Sequence, residues 1–254
     1  MREPLVSVIT VCFNSSSTVR ETILSVLAQD YPNLEYIIVD GGSTDGTQEI
    51  IESFGSQIHQ FVSEKDNGIY DAMNKGISMS KGKIISILNS DDLYYKKNTI
   101  STVVRVMIEK DVDITYGDLF YFRSKDHNKI VRYYKGKAFS DALVSKGWVP
   151  AHPTFFIKKK IYDKYGKFDV KFKLSADFDL IVRFLSRYKV SHYYLQQVLV
   201  KMRLGGESTN SVKNIIKMNF DNLKSCKQND IKTNFVKFHL KYISKAWQYI
   251  RNSI

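Results

Sequence analysis

Apolar and polar positions along this chain switch repeatedly between two periods. Residues 5–12 form a nearly unbroken apolar run that predicts a buried strand, and 13–17 form a polar turn. Thr18 and Glu21 have the spacing of a capping box. Val19, Ile23, Val26 and Leu27 then mark one helical face, which ends near Tyr31-Pro32. A second strand over 36–39 stops at Asp40, and 41–47 is a glycine-rich turn. A helix over 48–54, a strand over 58–63, a helix over 69–79 and a strand over 83–88 follow. Strands alternating with short helices predict an α/β fold, with a mostly parallel sheet and helices on both faces.

The second half is more mixed. Residues 113–116, 119–122 and 130–134 read as strands of an antiparallel patch, 140–146 as a short helix and 154–157 as a strand. Residues 176–187 form an amphipathic helix, 190–202 an extended segment, 203–208 a glycine-containing loop and 213–254 a basic helix. There is no internal repeat and no low-complexity linker.

In an open α/β sheet, ligands gather at the carboxyl ends of the strands. The first, second and fourth strands would aim Asn14, Asp40 and Asp91 at one such edge. Asp91 and Asp92 are adjacent carboxylates, which repel each other and are costly to desolvate. A divalent cation shared with an anionic ligand would make them tolerable, since Mg²⁺ uses one or two carboxylates plus substrate phosphates. A turn or helix cap is the alternative reading of such a pair.

Composition narrows the partners. The chain has 254 residues, is 43% hydrophobic and 25% charged, and carries a formal charge of +12. That excess favours an anionic partner: a nucleotide diphosphate, anionic lipid or nucleic acid. Cys12 and Cys226 lack metal-ligand spacing, and Cys12 reads as a reduced core thiol. The apolar run at 5–13 lacks a small-residue cleavage site, and no stretch is long enough to span a bilayer. The expectation is a cytoplasmic protein, with peripheral attachment to the inner face of the membrane through the tail.

Four ordered motifs carry a resemblance. They are Val8-Ile9-Thr10-Val11-Cys12-Phe13-Asn14, Val39-Asp40-Gly41-Gly42-Ser43-Thr44-Asp45-Gly46-Thr47, the stretch from Asp66-Asn67-Gly68 to Asn74-Lys75-Gly76, and Leu88-Asn89-Ser90-Asp91-Asp92. Together they resemble the family-two glycosyltransferases of GT-A fold, in particular bacterial enzymes that build O-antigen, capsule and exopolysaccharide. The match is dense over 5–92 and thinner to about 208. It implies a Rossmann-like GT-A domain over 1–210, with a nucleotide-binding half at 1–92 and an acceptor and catalytic half at 93–210. Residues 211–254 form a basic amphipathic helical extension.

The resemblance also implies roles. Asp40 would accept the uracil N–H, Thr10 and Asn14 would cradle base and ribose, and Asp66, Lys75 and Ser90 would join the nucleotide-sugar site. Asn89-Ser90-Asp91 takes the Asp-x-Asp position, so Asp91 is the metal ligand for Mn²⁺ or Mg²⁺, while Asn89 supplies hydrogen bonds without charge. Leu174–Leu180 resembles the Glu-Asp-x-x-Leu motif, with Asp177 as the catalytic base and Ala176 in place of Glu. Asp179 is the rival carboxylate. His152 is placed on the acceptor side, and Arg203 with Gly205-Gly206-Glu207-Ser208 in a loop closing on the diphosphate. The implied donor is a UDP-sugar and the acceptor an oligosaccharide on a polyprenyl diphosphate.

In the tail, Val236, Leu240, Ile243, Trp247 and Ile250 recur at helical spacing beside Lys237, Lys241 and Lys245. This predicts either a helix lying on an anionic membrane or one packed on the catalytic domain. Three rival functions remain: a nucleotidyltransferase, a basic nucleic-acid-binding protein and an inactive homologue. Asn14-Ser15-Ser16-Ser17 does not fit the glycine-rich loop of the first. The basic excess is greatest in the tail, which favours membrane over nucleic acid, so no nucleic acid is expected. Asn89 and Ala176 keep the third open.

Overall fold

The computed structural model describes residues 3–123, 126–204 and 212–238. Its strands are β1 (Val6–Cys12), β2 (Leu34–Asp40), β3 (Gln60–Ser63), β4 (Ile84–Ile87), β5 (Leu93–Tyr94), β6 (Ile114–Arg123), β7 (Asp126–Tyr134), β8 (Phe156–Lys158) and β9 (His192–Arg203). Its helices are α1 (Val19–Leu27), α2 (Thr47–Glu52), α3 (Ile69–Met79), α4 (Thr99–Glu109), α5 (Asp141–Val144), α6 (Lys159–Tyr165), α7 (Ala176–Val182) and α8 (Val212–Gln228).

One sheet runs β3-β2-β1-β4-β8-β6-β9-β5, with β7 on β6. The first four strands are all parallel, as expected, and in register Cys12 lies beside Asp40 and Ile9 beside Ile87. Beyond β4 the sheet is mixed: β8 is antiparallel to both neighbours, whereas β6 and β9 are parallel.

Alternation along β1 shows why both faces are covered. Val6, Val8 and Cys12 enter a core shared with α1 and α4, while Ile9 and Val11 enter one shared with α3, α6 and α7. Packing is close: a Cβ on Gly76 of α3 would collide with the Ile9 side chain, so α3 lies directly against β1.

Three expectations change. β6 is one ten-residue strand rather than two segments. Gly117 interrupts the apolar pattern because an added Cβ would stand 2.7 Å from the Gln197 carbonyl oxygen of β9. Neither α4 nor α6 is among the expected elements, although Ile100, Val103, Val104 and Met107 of α4 and Ile161 and Tyr162 of α6 all reach the core.

The third change concerns the tail, which is not one helix. α8 ends at Gln228, Asp230 takes a left-handed φ of 61°, and a helical turn at 235–238 follows. Val144, Phe178, Val182, Cys226, Ile231 and Phe238 form a buried cluster that ties this region to α7. Contacts therefore cross the boundary expected at 210. Of the expected apolar stripe, Val236 is 75% exposed, and Leu240, Ile243, Trp247 and Ile250 lie outside the described residues. Cys12 and Cys226 are free and buried. No helix among the described residues is long and apolar enough to cross a membrane.

Candidate active site

The carboxyl ends of β1, β2 and β4 converge as the topology requires. The Asn14 backbone N–H donates to Ser43 Oγ at 2.7 Å, and Asn14 Oδ1 accepts from the Thr44 N–H at 3.0 Å. Asn14 has a left-handed φ of 47°, a conformation that Asn tolerates. Ser15 and Ser90 share a hydroxyl–hydroxyl bond of 2.8 Å, which ties the β1 and β4 loops together.

Asp40 does not offer its carboxylate to a ligand. It is fully buried and accepts from Gly42 N–H at 3.1 Å, Ser43 N–H at 2.8 Å and Ser63 Oγ at 2.6 Å. The Ser43 hydroxyl and the Cys12 thiol also donate to it. Burial opposes the charge, but the Ser43 and Ser63 donors outweigh it and hold the carboxyl below its ordinary 3.8. Asp40 therefore shapes the turn after β2 rather than meeting uracil. Thr10 is corrected in the same way: it lies two residues before the end of β1, is fully buried, and pairs with the Tyr36 hydroxyl at 3.0 Å.

A different group stands at this edge. Phe13 follows β1 and is 63% exposed. A Cβ on Gly41 would lie 2.8 Å from Asp66 Oδ2 and 3.3 Å from Phe13 Cδ2, so only glycine lets the carboxylate and ring close on the strand end. Asp66 Oδ1 accepts from the Gly68 N–H at 2.8 Å. Phe13 carried no expected role; its signal was an aromatic directly after a buried strand. Lys75 projects from α3 and pairs with Glu64 at 2.5 Å.

At the end of β4, burial raises the Asp91 carboxyl above its ordinary value, and Arg203 only partly opposes this. Asp92 is fully buried and raised further, first by burial and then by the Asp91 charge. Asp92 accepts from the Arg203 backbone N–H and from Asn89 Nδ2, each at 3.3 Å. Asn89 Oδ1 is buried and takes no hydrogen bond from the described residues. Arg203 is the last residue of β9, not part of a loop. Its guanidinium bonds Glu21 at 2.6 Å and the Asp91 carbonyl at 3.4 Å, and it is 7% exposed. It braces the Asp91–Asp92 turn instead of reaching for a diphosphate. Residues 205–208 of the expected loop lie outside the described residues.

A second cluster forms around Asp177, in the first turn of α7, after the N-cap Ser175. Tyr70 at the start of α3 donates to Asp177 Oδ1 at 2.9 Å and stacks on Phe168 with centroids 5.5 Å apart. Burial, reinforced by the Asp177 charge, pushes the Tyr70 hydroxyl well above its ordinary 10, so it remains a donor. His152 meets Phe168 edge-on at 5.4 Å. Burial lowers its titration below the ordinary 6.5, although Asp177 pulls the other way.

Asp179, the rival carboxylate, is buried and taken by Ser225 Oγ at 2.7 Å, Asn229 Nδ2 at 3.3 Å and Arg183 Nε at 3.4 Å. Asp177 is the half-buried one of the two. Tyr70 lies inside the motif from Asp66 to Gly76, and its role is not legible there because its partner is 107 positions away.

A parallel sheet edge carrying the Asp91–Asp92 pair, with a further carboxylate, Asp177, in the first turn of a helix, is the arrangement expected of a glycosyltransferase of GT-A fold. The chain belongs to glycosyl transferase family 2: the model of that family matches residues 7–166. It is 34% identical over 220 residues to an uncharacterised glycosyltransferase of Rickettsia typhi, covering 83% of this chain and 68% of that one. TarS of S. aureus, solved with UDP, superposes with a TM-score of 0.65 at 17% identity, over 90% of this chain and 67% of that one. The mannosyltransferase PcManGT of Pyrobaculum calidifontis, solved with GDP-Man and Mn²⁺, gives 0.67 at 18%, over 92% and 66%.

Proposed function

We propose that this glycosyltransferase is inverting and metal-dependent, and that it moves a sugar from a UDP-sugar to a lipid-linked oligosaccharide in bacterial surface-polysaccharide synthesis. One observation carries the reading: a single short segment touches both clusters. Asp66 closes on Gly41, as Phe13 does, at the nucleotide edge, and Tyr70, four residues on, holds Asp177.

Phe13 would stack on the base, and Asp66 Oδ2 would accept its N–H. Asn14 and Ser90 would line the ribose and phosphate side. The residues at the β4 end fit a cation, because burial raises Asp91 and Asn89 Oδ1 is an orphaned buried oxygen. Among the described residues no three His, Cys, Asp or Glu side chains cluster to hold a metal, so Asp91 would share the ion with the donor diphosphate. A divalent cation held there would neutralise charge developing on the leaving group. The UDP of one structural neighbour and the GDP-Man and Mn²⁺ of another support this reading.

Asp177 would take the proton of the acceptor hydroxyl as the new bond forms on the face opposite the diphosphate. An α-linked donor would then give a β-linked product. His152, neutral because it is buried, would line the acceptor side. The test is a panel of nucleotide sugars assayed with Mn²⁺ for donor hydrolysis and for transfer to polyprenyl-diphosphate-linked sugars. Turnover of a UDP-sugar with inversion supports the reading. No turnover of any donor, with UDP still bound, favours the inactive homologue.

A further inference from the structure

α8 has two faces of opposite character. Asn219, Asn222, Ser225 and Cys226 are buried on its inner side, where Ser225 bonds Asp179 of α7. At about 100° per residue the outer face carries Lys213, Ile216, Lys217, Phe220, Lys224 and Lys227, all exposed. Ile216 and Phe220, one turn apart, keep 51% and 61% exposure. The helix has a single acid, Asp221, which sits half-buried at the side of this face.

Two large apolar side chains ringed by four lysines call for a partner that is both anionic and apolar. Residues 239–254 do not supply the anionic part of this complement, because they contain Lys241, Lys245 and Arg251 and no acid. Ile216 separates lipid from nucleic acid: an aliphatic side chain has no ring on which a base can stack, but it buries well among acyl chains.

We propose that the outer face of α8 docks the protein on an anionic lipid bilayer. Ile216 and Phe220 enter the headgroup–acyl boundary, and the four lysines meet lipid phosphates. This moves the membrane contact from the expected stripe beyond Val236 to a helix whose other side is fixed on α7. Asp177 then lies on the helix layer next to the membrane-facing one.

The proposal stands apart from the reaction proposed above, and its vesicle assay contains neither donor nor metal. The full chain is sedimented with vesicles of phosphatidylglycerol in phosphatidylcholine and with vesicles of phosphatidylcholine alone. Binding is expected only to the anionic vesicles, at low salt, with release at high salt. Replacing Lys213, Lys217, Lys224 and Lys227 together by Gln should weaken partitioning by about 100-fold or more. Ile216→Ser with Phe220→Ser should weaken it by about 10-fold or more.

Both variants alter exposed positions, of which Lys224 also lies over the Phe172 ring at 5.6 Å, so their melting temperature should stay close to that of the wild type and their stabilisation by UDP should match it. Gln at Lys81, Lys97, Lys110 and Lys160, all exposed elsewhere, removes the same charge and should leave most binding intact. Equal loss in that control would reduce the effect to net charge and overturn the assignment. Equal binding to neutral vesicles, or full binding by both α8 variants, would do the same. So would capture of a mixed-sequence RNA oligonucleotide in place of vesicles, or conversion of a dimer to a monomer by the Ile216 and Phe220 changes.

Discussion

The Tyr70 hydroxyl donates to Asp177 Oδ1 at 2.9 Å and joins segments 107 positions apart. It gives the candidate base a fixed orientation and leaves its second oxygen without a donor among the described residues. General-base catalysis depends on such placement, because proton transfer must keep pace with bond formation.

Asp177→Asn should therefore cut transfer by roughly 10²–10⁴ while UDP affinity stays within a few fold. Tyr70→Phe should lower kcat by less and leave the donor KM unchanged, which steady-state kinetics with a saturating acceptor will show. A raised donor KM in Tyr70→Phe would make the tyrosine a nucleotide-side residue instead.

Asp179 should behave oppositely. Its carboxylate is filled by Ser225, Asn229 and Arg183, so Asp179→Asn weakens the seat of α8 and leaves buried donors short of an acceptor. Denaturant melts should show a loss of about 2–3 kcal/mol, with donor KM little changed. If Asp179→Asn is stable but inactive, the roles of the two carboxylates are exchanged.

Removing the tail should cost the fold. A chain ending at Ser211 bares Val144, Phe178 and Val182, each now buried against residues of 226–238. It should melt well below the full chain or aggregate on expression, as light scattering during a thermal ramp will reveal. A soluble, cooperatively melting product would show that this cluster is dispensable.

Metal and nucleotide should bind together. UDP should raise the melting temperature more with Mn²⁺ or Mg²⁺ than with EDTA, and Asp91→Ala should abolish that difference. Equal stabilisation by UDP with and without metal would remove the cation from the mechanism.

His152 supplies the pH dependence. Burial lowers its titration below 6.5, so the unfolded chain binds the proton more readily than the folded one. The stability it contributes is present above 6.5 and is lost as pH falls from there towards the lowered value. His152→Gln should flatten this segment of the curve of melting temperature against pH. An unchanged slope would mean that other groups set it.

Local pattern was enough to place β1, β2 and β4, and with them the edge where Asn14, Asp40 and Asp91 meet. Strand and helix periods are properties of neighbouring residues, and parallel strands must end on the same side. The same local reading picked out Asp177 at the start of α7. It also held enough for α4, whose core residues recur at helical spacing, although that helix went unassigned.

What each carboxylate at the site is free to do came only with the tertiary structure. Asp40 is occupied by Gly42 and Ser43 of its own turn, and Ser63 of the next strand takes a further position. Arg203 is turned inward by Glu21, and Asp179 is claimed by Ser225 and Asn229. Ser63, Glu21, Ser225 and Asn229 lie tens of positions or more from the groups they bind, and no local period encodes them. The sequence by itself determined where charged groups stand along the sheet edge. Folding decided which were satisfied by the protein and which, like Asp66 and Asp177, kept an oxygen without a donor among the described residues, because hydrogen-bond saturation depends on long-range contacts.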